Sequence, residues 1–563
     1  MNHCRWNLKP PVPADYWGLA GGFSPLMSQL LYNRGLASPS QAEVFLAADE
    51  RLAGNPGLLP DINQAVPRIR QALLAGENIA VYGDFDSDGV TATVLLVRGL
   101  TTLGGRVIPY IPHRLTEGHG LKIAALEKLH RQGISLIITT DCGITALNEV
   151  KKANKLGLDT IICDHHTPLD ELPPALASVN PQRSDSAYPF NELAGVGVAY
   201  KLLQALYQSL GKDRQPDGLL DLVAIGTVAD MMPLVGENRY LVKEGLKLIN
   251  DSPRLGIREL MNQARLKSGA VDSESISWVL APRLNAIGRL EHAMAGYRLL
   301  MTDSPSEAKE LAGWLEVKNT ERQKLTATFQ AAAREQILAA EIPPLLIFRD
   351  KECHAGIIGL VAGRLTDEFY RPAIAIKVGE HSSTGSCRSI PEFNITDAIS
   401  RCRSLLTHFG GHARAAGFTL PTENLPLLER RLSEMAEKEL SGVDLRPHLD
   451  IDVEVTLSQL SEATFKDTRQ LAPFGRGNPA PAFLSRRLRI IEHRPMGNSG
   501  QHLRLKLEQG DARWDGVAFR MSQSLTSVLD SPLDMVYNLE MNHWHGMATL
   551  RLNIIDFAPS AET

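Results

Sequence analysis

The sequence is poor in cysteine and aromatic residues, and neither sign of charge dominates. Six cysteines (Cys4, Cys142, Cys163, Cys353, Cys387, Cys402) form no CxxC pair and are too sparse for a disulfide scaffold. Free thiols in a reducing, cytoplasmic setting are expected. No window approaches 18 uninterrupted apolar residues, so no membrane span is expected. The opening MNHCRWNLKPPVPADYW lacks the apolar core of a secretory signal, so export is not expected. Fifty-nine basic residues against sixty-four acidic ones give a net charge of −5, which argues against a wholly basic nucleic-acid-coating domain but leaves room for one basic groove. There is no GxxxxGK[ST], HExxH or GxSxG motif, which leaves P-loop, zinc-protease and serine-hydrolase chemistry without support.

At 563 residues the chain is long enough for about three or four domains. Residues 1–75 read as a helical segment, with Ser38 or Ser40 of SPSQAEVFLAA as a cap. From 76 to 303, short apolar runs at 79–82, 106–111, 135–139 and 160–163 alternate with helical stretches at 90–103, 122–132 and 146–156, the pattern of βαβ units on a parallel sheet. Helices are also expected over 196–210 and 219–230. The span 304–342 reads as one long connecting helix ended by Pro343-Pro344. A second α/β segment covers 343–443. Residues 449–563 switch to short alternating runs (DVEV, HLRLKLE, MVYNLE, ATLRLNIID), an all-β barrel pattern.

Acidic residues recur where strands should end. Asp84, Asp86 and Asp88 alternate in GDFDSDG, Asp141 stands in TTDCG, and Asp164, His165 and His166 follow the next strand in ICDHH. Asp230 closes the helical run VAIGTVAD. Open α/β sheets place ligands at the carboxyl ends of their strands. Two like charges 4 Å apart repel by about 4 kcal/mol at an effective dielectric of 20, so such a cluster calls for cations. Carboxylates with one or two imidazoles suit Mn²⁺, with Mg²⁺ second, and the ligands suffice for two ions, an arrangement suited to in-line attack on phosphorus. An EF-hand reading of DFDSDG fails because its twelfth position is Leu95 and a strand precedes it.

These motifs resemble the DHH phosphoesterase superfamily and, within it, the bacterial RecJ single-strand exonucleases. The carrying segments are YGDFDSDGVTA, TTDCGI, DHH and GTVADMMPL, with APRLNAIGRL, GSCRSI, FGGHARAAGFTL and LAPFGRGNPAPAF beyond them. The resemblance implies a parallel-sheet DHH catalytic lobe (76–303), a connecting helix, a DHHA1-type lobe and an OB-fold barrel. It implies that Asp84, Asp86, Asp88, Asp141, His165 and Asp230 hold two Mn²⁺ (or Mg²⁺) ions, with Asp141 best placed to bridge them. His166 would serve the scissile phosphate or the leaving group, and Asp164 would orient an imidazole. Arg114, Ser386 and Arg388 would hold a 5′-terminal phosphate. Arg283, Asn285, Arg289, Gly411 and His412 would be further contacts to the strand. The implied activity is 5′→3′ degradation of single-stranded DNA to 5′-mononucleotides in recombination and repair, beside a helicase and a single-strand-binding protein. The alternative is a DHH-family phosphoesterase acting on oligonucleotides or other small phosphate substrates.

Some positions depart from the family pattern. Phe85 and His119 stand where Tyr is common, and Cys353 and Ala355 where Trp and Pro are. In the barrel, Arg486, Arg487, Arg489, Arg494, Arg504 and Lys506, with Trp514, Phe519, Tyr537 and Trp544, suggest a strand-tracking face.

Overall fold

The computed structural model describes residues 4–211, 218–497, 500–529, 531–544 and 547–560. The chain forms two compact units. One comprises Ala48–Ser441 with Gly475–Gly477, and the other comprises Met1–Ala47, Gly442–Phe474 and Asn478–Thr563. Among the described residues no helix is long and apolar enough to cross a membrane.

The larger unit begins with a five-stranded parallel sheet in the order Arg106–Tyr110, Asn78–Tyr82, Ile134–Thr139, Asp159–Cys163, Ala177–Val179. Side chains alternate between two cores. Ile79, Val81, Leu136, Ile138 and Ile161 enter one, and Ala80, Tyr82, Ile137 and Ile162 the other. Burial on both faces is why these strands read as unbroken apolar runs. The earliest strand of the sheet lies between the second and third, so the chain winds away in both directions from its carboxyl end. That switch point is where a doubly wound sheet leaves a crevice.

The connecting helix spans Pro305–Leu338, capped by Ser304, and at 1.5 Å per residue reaches about 51 Å. It leads to a second sheet ordered His408–His412, Ala415–Pro421, Ser382–Arg388, Ala373–Lys377, Leu346–Asp350, flanked by the helix Ile358–Phe369. In this sheet only the pair Ala373–Lys377 and Leu346–Asp350 is parallel.

In the other unit, Phe483–Met496, His502–Gln509, Ala512–Ala518, Met547–Pro559 and Leu533–Trp544 pair in that cycle and close on themselves as a five-stranded barrel. Leu503, Leu505 and Leu507 point into its core, while Arg504 and Lys506 between them face solvent. The expectation of one helical segment over 1–75 is divided by the structure. Arg5–Leu8 is a strand, parallel to His448–Ile451, and residues up to Ala47 cluster with the barrel unit. A four-residue strand has no periodicity of its own, and its partner lies 443 residues along the chain.

Candidate metal centre and nucleic-acid cleft

Four chain segments bring acids to the switch point. Beyond the first strand, Asp86 caps the helix Ser87–Thr102, its Oδ1 accepting from the N–H groups of Asp88 (2.9 Å) and Gly89 (3.0 Å). The cap starts the helix three residues before the apolar pattern does and fixes Asp88 in its first turn. Asp88 in turn accepts from the N–H groups of Gly195 (2.7 Å) and Val196 (2.9 Å), at the start of the helix Gly195–Ser209. Asn285 anchors the same loop, its Oδ1 accepting from the Ser87 N–H at 2.8 Å. Asp141 follows the third strand with φ +59°, a left-handed backbone that Asp tolerates better than most residues. Gly195 packs against it so closely that an added Cβ would lie 2.7 Å from the Asp141 Cβ. Gly195→Ala is therefore expected to displace Asp141 and lower metal-dependent activity at least tenfold in a protein that still folds, measured as initial rate and circular dichroism.

The carboxylates and imidazoles form three overlapping groups whose ligand atoms lie within 4.8 Å of one another: Asp84, Asp86 and Asp141; Asp141, His165 and His166; Asp88, His165 and Asp230. Asp141 belongs to two of them and His165 to two. His165 Nε2 lies 3.0 Å from Asp141 Oδ1, 3.6 Å from Asp230 Oδ2 and 3.9 Å from Asp88 Oδ2. Asp164 stands apart from all three groups. Its Oδ1 meets His166 Nδ1 at 2.8 Å and accepts from the N–H of His165, while its Oδ2 accepts from the Ile144 N–H. Asp164 thus sets the orientation of His166.

Among the described residues, only histidines come within ion-pair distance of these acids. Burial, then repulsion from Asp86, pushes Asp88 up to about 7. Burial and Asp88 push Asp230 up to about 8, and Asp141 is raised well above the usual carboxylate range. Burial lowers His165 to about 4. Burial opposes charge on His166 as well, but the hydrogen bond and charge of Asp164 outweigh it and raise His166 to about 9. Hard carboxylate oxygens with one or two imidazoles, crowded and lacking a counter-cation, are a donor set that fits Mn²⁺ or Mg²⁺.

The arginines cluster beside this centre. Arg114 stacks its guanidinium 4.6 Å above the Phe85 ring, and Arg289 donates to the Gly356 carbonyl at 3.2 Å. Arg388 donates to the Cys387 carbonyl (2.8 Å) and to Ser386 Oγ (3.4 Å). Both Ser386 and Arg388 crowd Gly359 in the first turn of Ile358–Phe369, where an added Cβ would lie 3.0 Å from Ser386 Oγ. Gly411 and His412 lie on an exposed hairpin, and the charge of His412 reaches His165. Arg283 is turned away, its Nε 2.5 Å from Glu316 on the connecting helix.

Three participants escaped the sequence reading. His119 Nδ1 lies 3.1 Å from Asp84 Oδ1. Asn180 and Gln182, just past the last strand, donate to the carbonyls of His166 (2.8 Å) and His165 (2.5 Å). Their place at a strand end was the available signal.

The barrel's basic face is a lattice of ion pairs: Arg486 with Glu454 and Asp534, Arg494 with Glu492, Arg504 with Asp515. Tyr537 is core, and the Trp514 indole donates to the Leu457 carbonyl. Phe519 is half-exposed beside His502, and the Trp544 side chain lies outside the described residues.

Three family profiles match the chain: the DHH family N-terminal domain over 78–227, the DHHA1 domain over 335–438 and the RecJ OB domain over 451–556. Fold and site together define a DHH phosphoesterase with a DHHA1 lobe and an appended OB barrel. The single-stranded-DNA-specific exonuclease RecJ of Bacillus subtilis is 38% identical over 99% of this chain and 71% of its own length. That of Escherichia coli is 32% identical over 95% and 96% respectively. The crystal structure of Thermus thermophilus RecJ in complex with Mn²⁺ superposes with a TM-score of 0.85 at 30% identity, covering 99% of this chain and 80% of that one. The chain belongs to the RecJ family of single-stranded-DNA-specific exonucleases.

Proposed function

We propose that the chain hydrolyses single-stranded DNA from its 5′ end, releasing 5′-mononucleotides with Mn²⁺, or Mg²⁺, as cofactor. The observation that carries this reading is the convergence of Asp141 with two sets of acidic and imidazole donors, beside the clustered arginines Arg114, Arg289 and Arg388. Asp84, Asp86, Asp88, Asp141, His165 and Asp230 would hold the ions. When bound, these neutralise charge at the scissile phosphate and lower the pKa of the attacking water.

The other residues have separate tasks. His166, held by Asp164 through Nδ1, presents a proton at Nε2 to the departing 3′-oxygen. Ser386 and Arg388 grip the 5′-terminal phosphate, and Asn285 and Gly195 fix the acids in place. Six free cysteines, five of them buried, accord with a cytoplasmic protein. A helicase and a single-strand-binding protein would supply and present its strands.

Arg388→Ala is expected to raise KM for a 5′-phosphorylated strand by roughly 10- to 100-fold, the worth of a charge-assisted contact, and to change KM for a 5′-hydroxyl strand much less. The defining experiment follows strands labelled at either end, with and without Mn²⁺. The 5′ label should leave as mononucleotide at once, while the 3′ label stays on steadily shortening strands. Mononucleotide released first from the 3′ label would reverse the polarity. Consumption of dinucleotides alone would favour the small-substrate alternative.

A further inference from the structure

The donor sets at the metal centre are unequal. Asp84, Asp86 and Asp141 offer only carboxylate oxygens, whereas each of the other two groups includes at least one imidazole. An all-oxygen set suits Mg²⁺ as well as Mn²⁺, while an added imidazole shifts the preference toward Mn²⁺. The imidazole of His119 stands at the edge of the all-oxygen set, its Nδ1 3.1 Å from Asp84 Oδ1. That oxygen is buried and accepts no hydrogen bond among the described residues, from His119 or any other donor. Two atoms with lone pairs, close together and not joined by a hydrogen bond, are placed like two ligands of one cation. Neighbouring ligands of an octahedral ion bound at about 2.1 Å stand about 3 Å apart. His165 Nε2 and Asp141 Oδ1, which belong to the ligand groups already described, show the same spacing at 3.0 Å.

The surroundings of His119 suit this role. Its ring lies beside those of His166 (6.0 Å) and Phe85 (6.2 Å), on the metal side of its loop. Gly118 (φ +78°) and Gly120 (φ +79°) flank it in the left-handed region, and a Cβ at Gly120 would meet nothing within 4 Å. Tyr82 bounds the movement of this loop by donating to the Gly120 carbonyl at 3.1 Å. Of the three acids His119 has only Asp84 within ion-pair distance, so ligation draws its half-exposed ring a short way inward. The Tyr common at this position in the family would serve less well, because a phenol with a pKa of about 10 keeps its proton at neutral pH.

We infer that His119 is a further ligand of the ion held by Asp84, Asp86 and Asp141, and that it biases this ion toward Mn²⁺ over Mg²⁺. This rests on the reading above that those three acids hold an ion. Nδ1 supplies the lone pair, and Nε2 carries the ring proton.

Metal binding, rather than product, is the measurement. The full chain, His119→Tyr and His119→Gln are each titrated with Mn²⁺, the free ion being read from its electron paramagnetic resonance signal, and Mg²⁺ is then added as competitor. Circular dichroism checks that each variant folds. Both variants should bind one of the two Mn²⁺ ions roughly 10- to 100-fold more weakly than the parent, with a much smaller change for Mg²⁺. Mn²⁺ bound as tightly or more tightly by the variants would mean that His119 only pairs with Asp84 and competes with the metal, which overturns the inference. Mn²⁺ and Mg²⁺ weakened alike would make His119 a support for the Asp84 carboxylate and not a ligand, which also overturns it. Either result leaves the two-ion reading intact. A parent chain that binds fewer than two Mn²⁺ ions defeats that underlying reading, and the inference with it.

Discussion

Asp141→Asn should fold as the parent does and lose Mn²⁺-dependent hydrolysis by roughly 10³-fold or more, because a group shared by two ligand sets controls several kcal/mol of transition-state stabilisation. Asparagine suits the test because it accepts the left-handed backbone that Asp141 adopts at φ +59°, where alanine would add strain. The same change should raise the melting temperature of the metal-free protein, since it deletes one of the mutually repelling buried acids. Activity lost while metal-free stability is gained would identify the residue as a ligand. Retained hydrolysis would remove Asp141 from the metal centre, and with it the basis of the proposed mechanism.

The second large effect is on stability. In the metal-free protein Asp88 and Asp230 hold protons up to about 7 and 8, whereas in the unfolded chain they release them near the ordinary carboxylate value of about 4. Their contribution is complete below that value and is lost as pH rises through 7 to 8. His166, raised to about 9, acts with the same sign. Stability of the metal-free protein should therefore fall by several kcal/mol between about pH 5 and pH 9. Mn²⁺ bound by these acids would replace those protons and should protect far more at pH 9 than at pH 6. Thermal melts with and without chelator, across that range, measure both slopes. A flat or rising metal-free curve would mean that the acids are not crowded as described.

How far the sequence reveals this molecule depends on how local each feature is. The parallel strands are legible because burial on both faces selects runs such as SLIITT and DTIIC, and the acids because they follow those runs directly. The helix after GDFDSDG reads three residues too short, since apolar periodicity sees Val90 but not the cap made by Asp86. Asn285 and Arg283 read alike as polar residues of APRLNAIGR. Only the three-dimensional packing assigns one to the acidic loop and the other to Glu316. His119 is visible only as an unusual residue in EGHG, and its contact with Asp84 depends on how the loop folds back.

The short parallel pairing of Arg5–Leu8 with His448–Ile451 has a temporal consequence. On the ribosome Arg5–Leu8 emerges well before its partner, which is 443 residues behind it. At ordinary elongation speeds of about 5–20 residues per second it waits roughly 20 to 90 seconds for that partner. The parallel-sheet lobe can complete its sheet meanwhile, but the barrel can close only after its last strand, Met547–Pro559, has been made. Translation itself therefore orders the assembly, the parallel-sheet unit before the barrel unit.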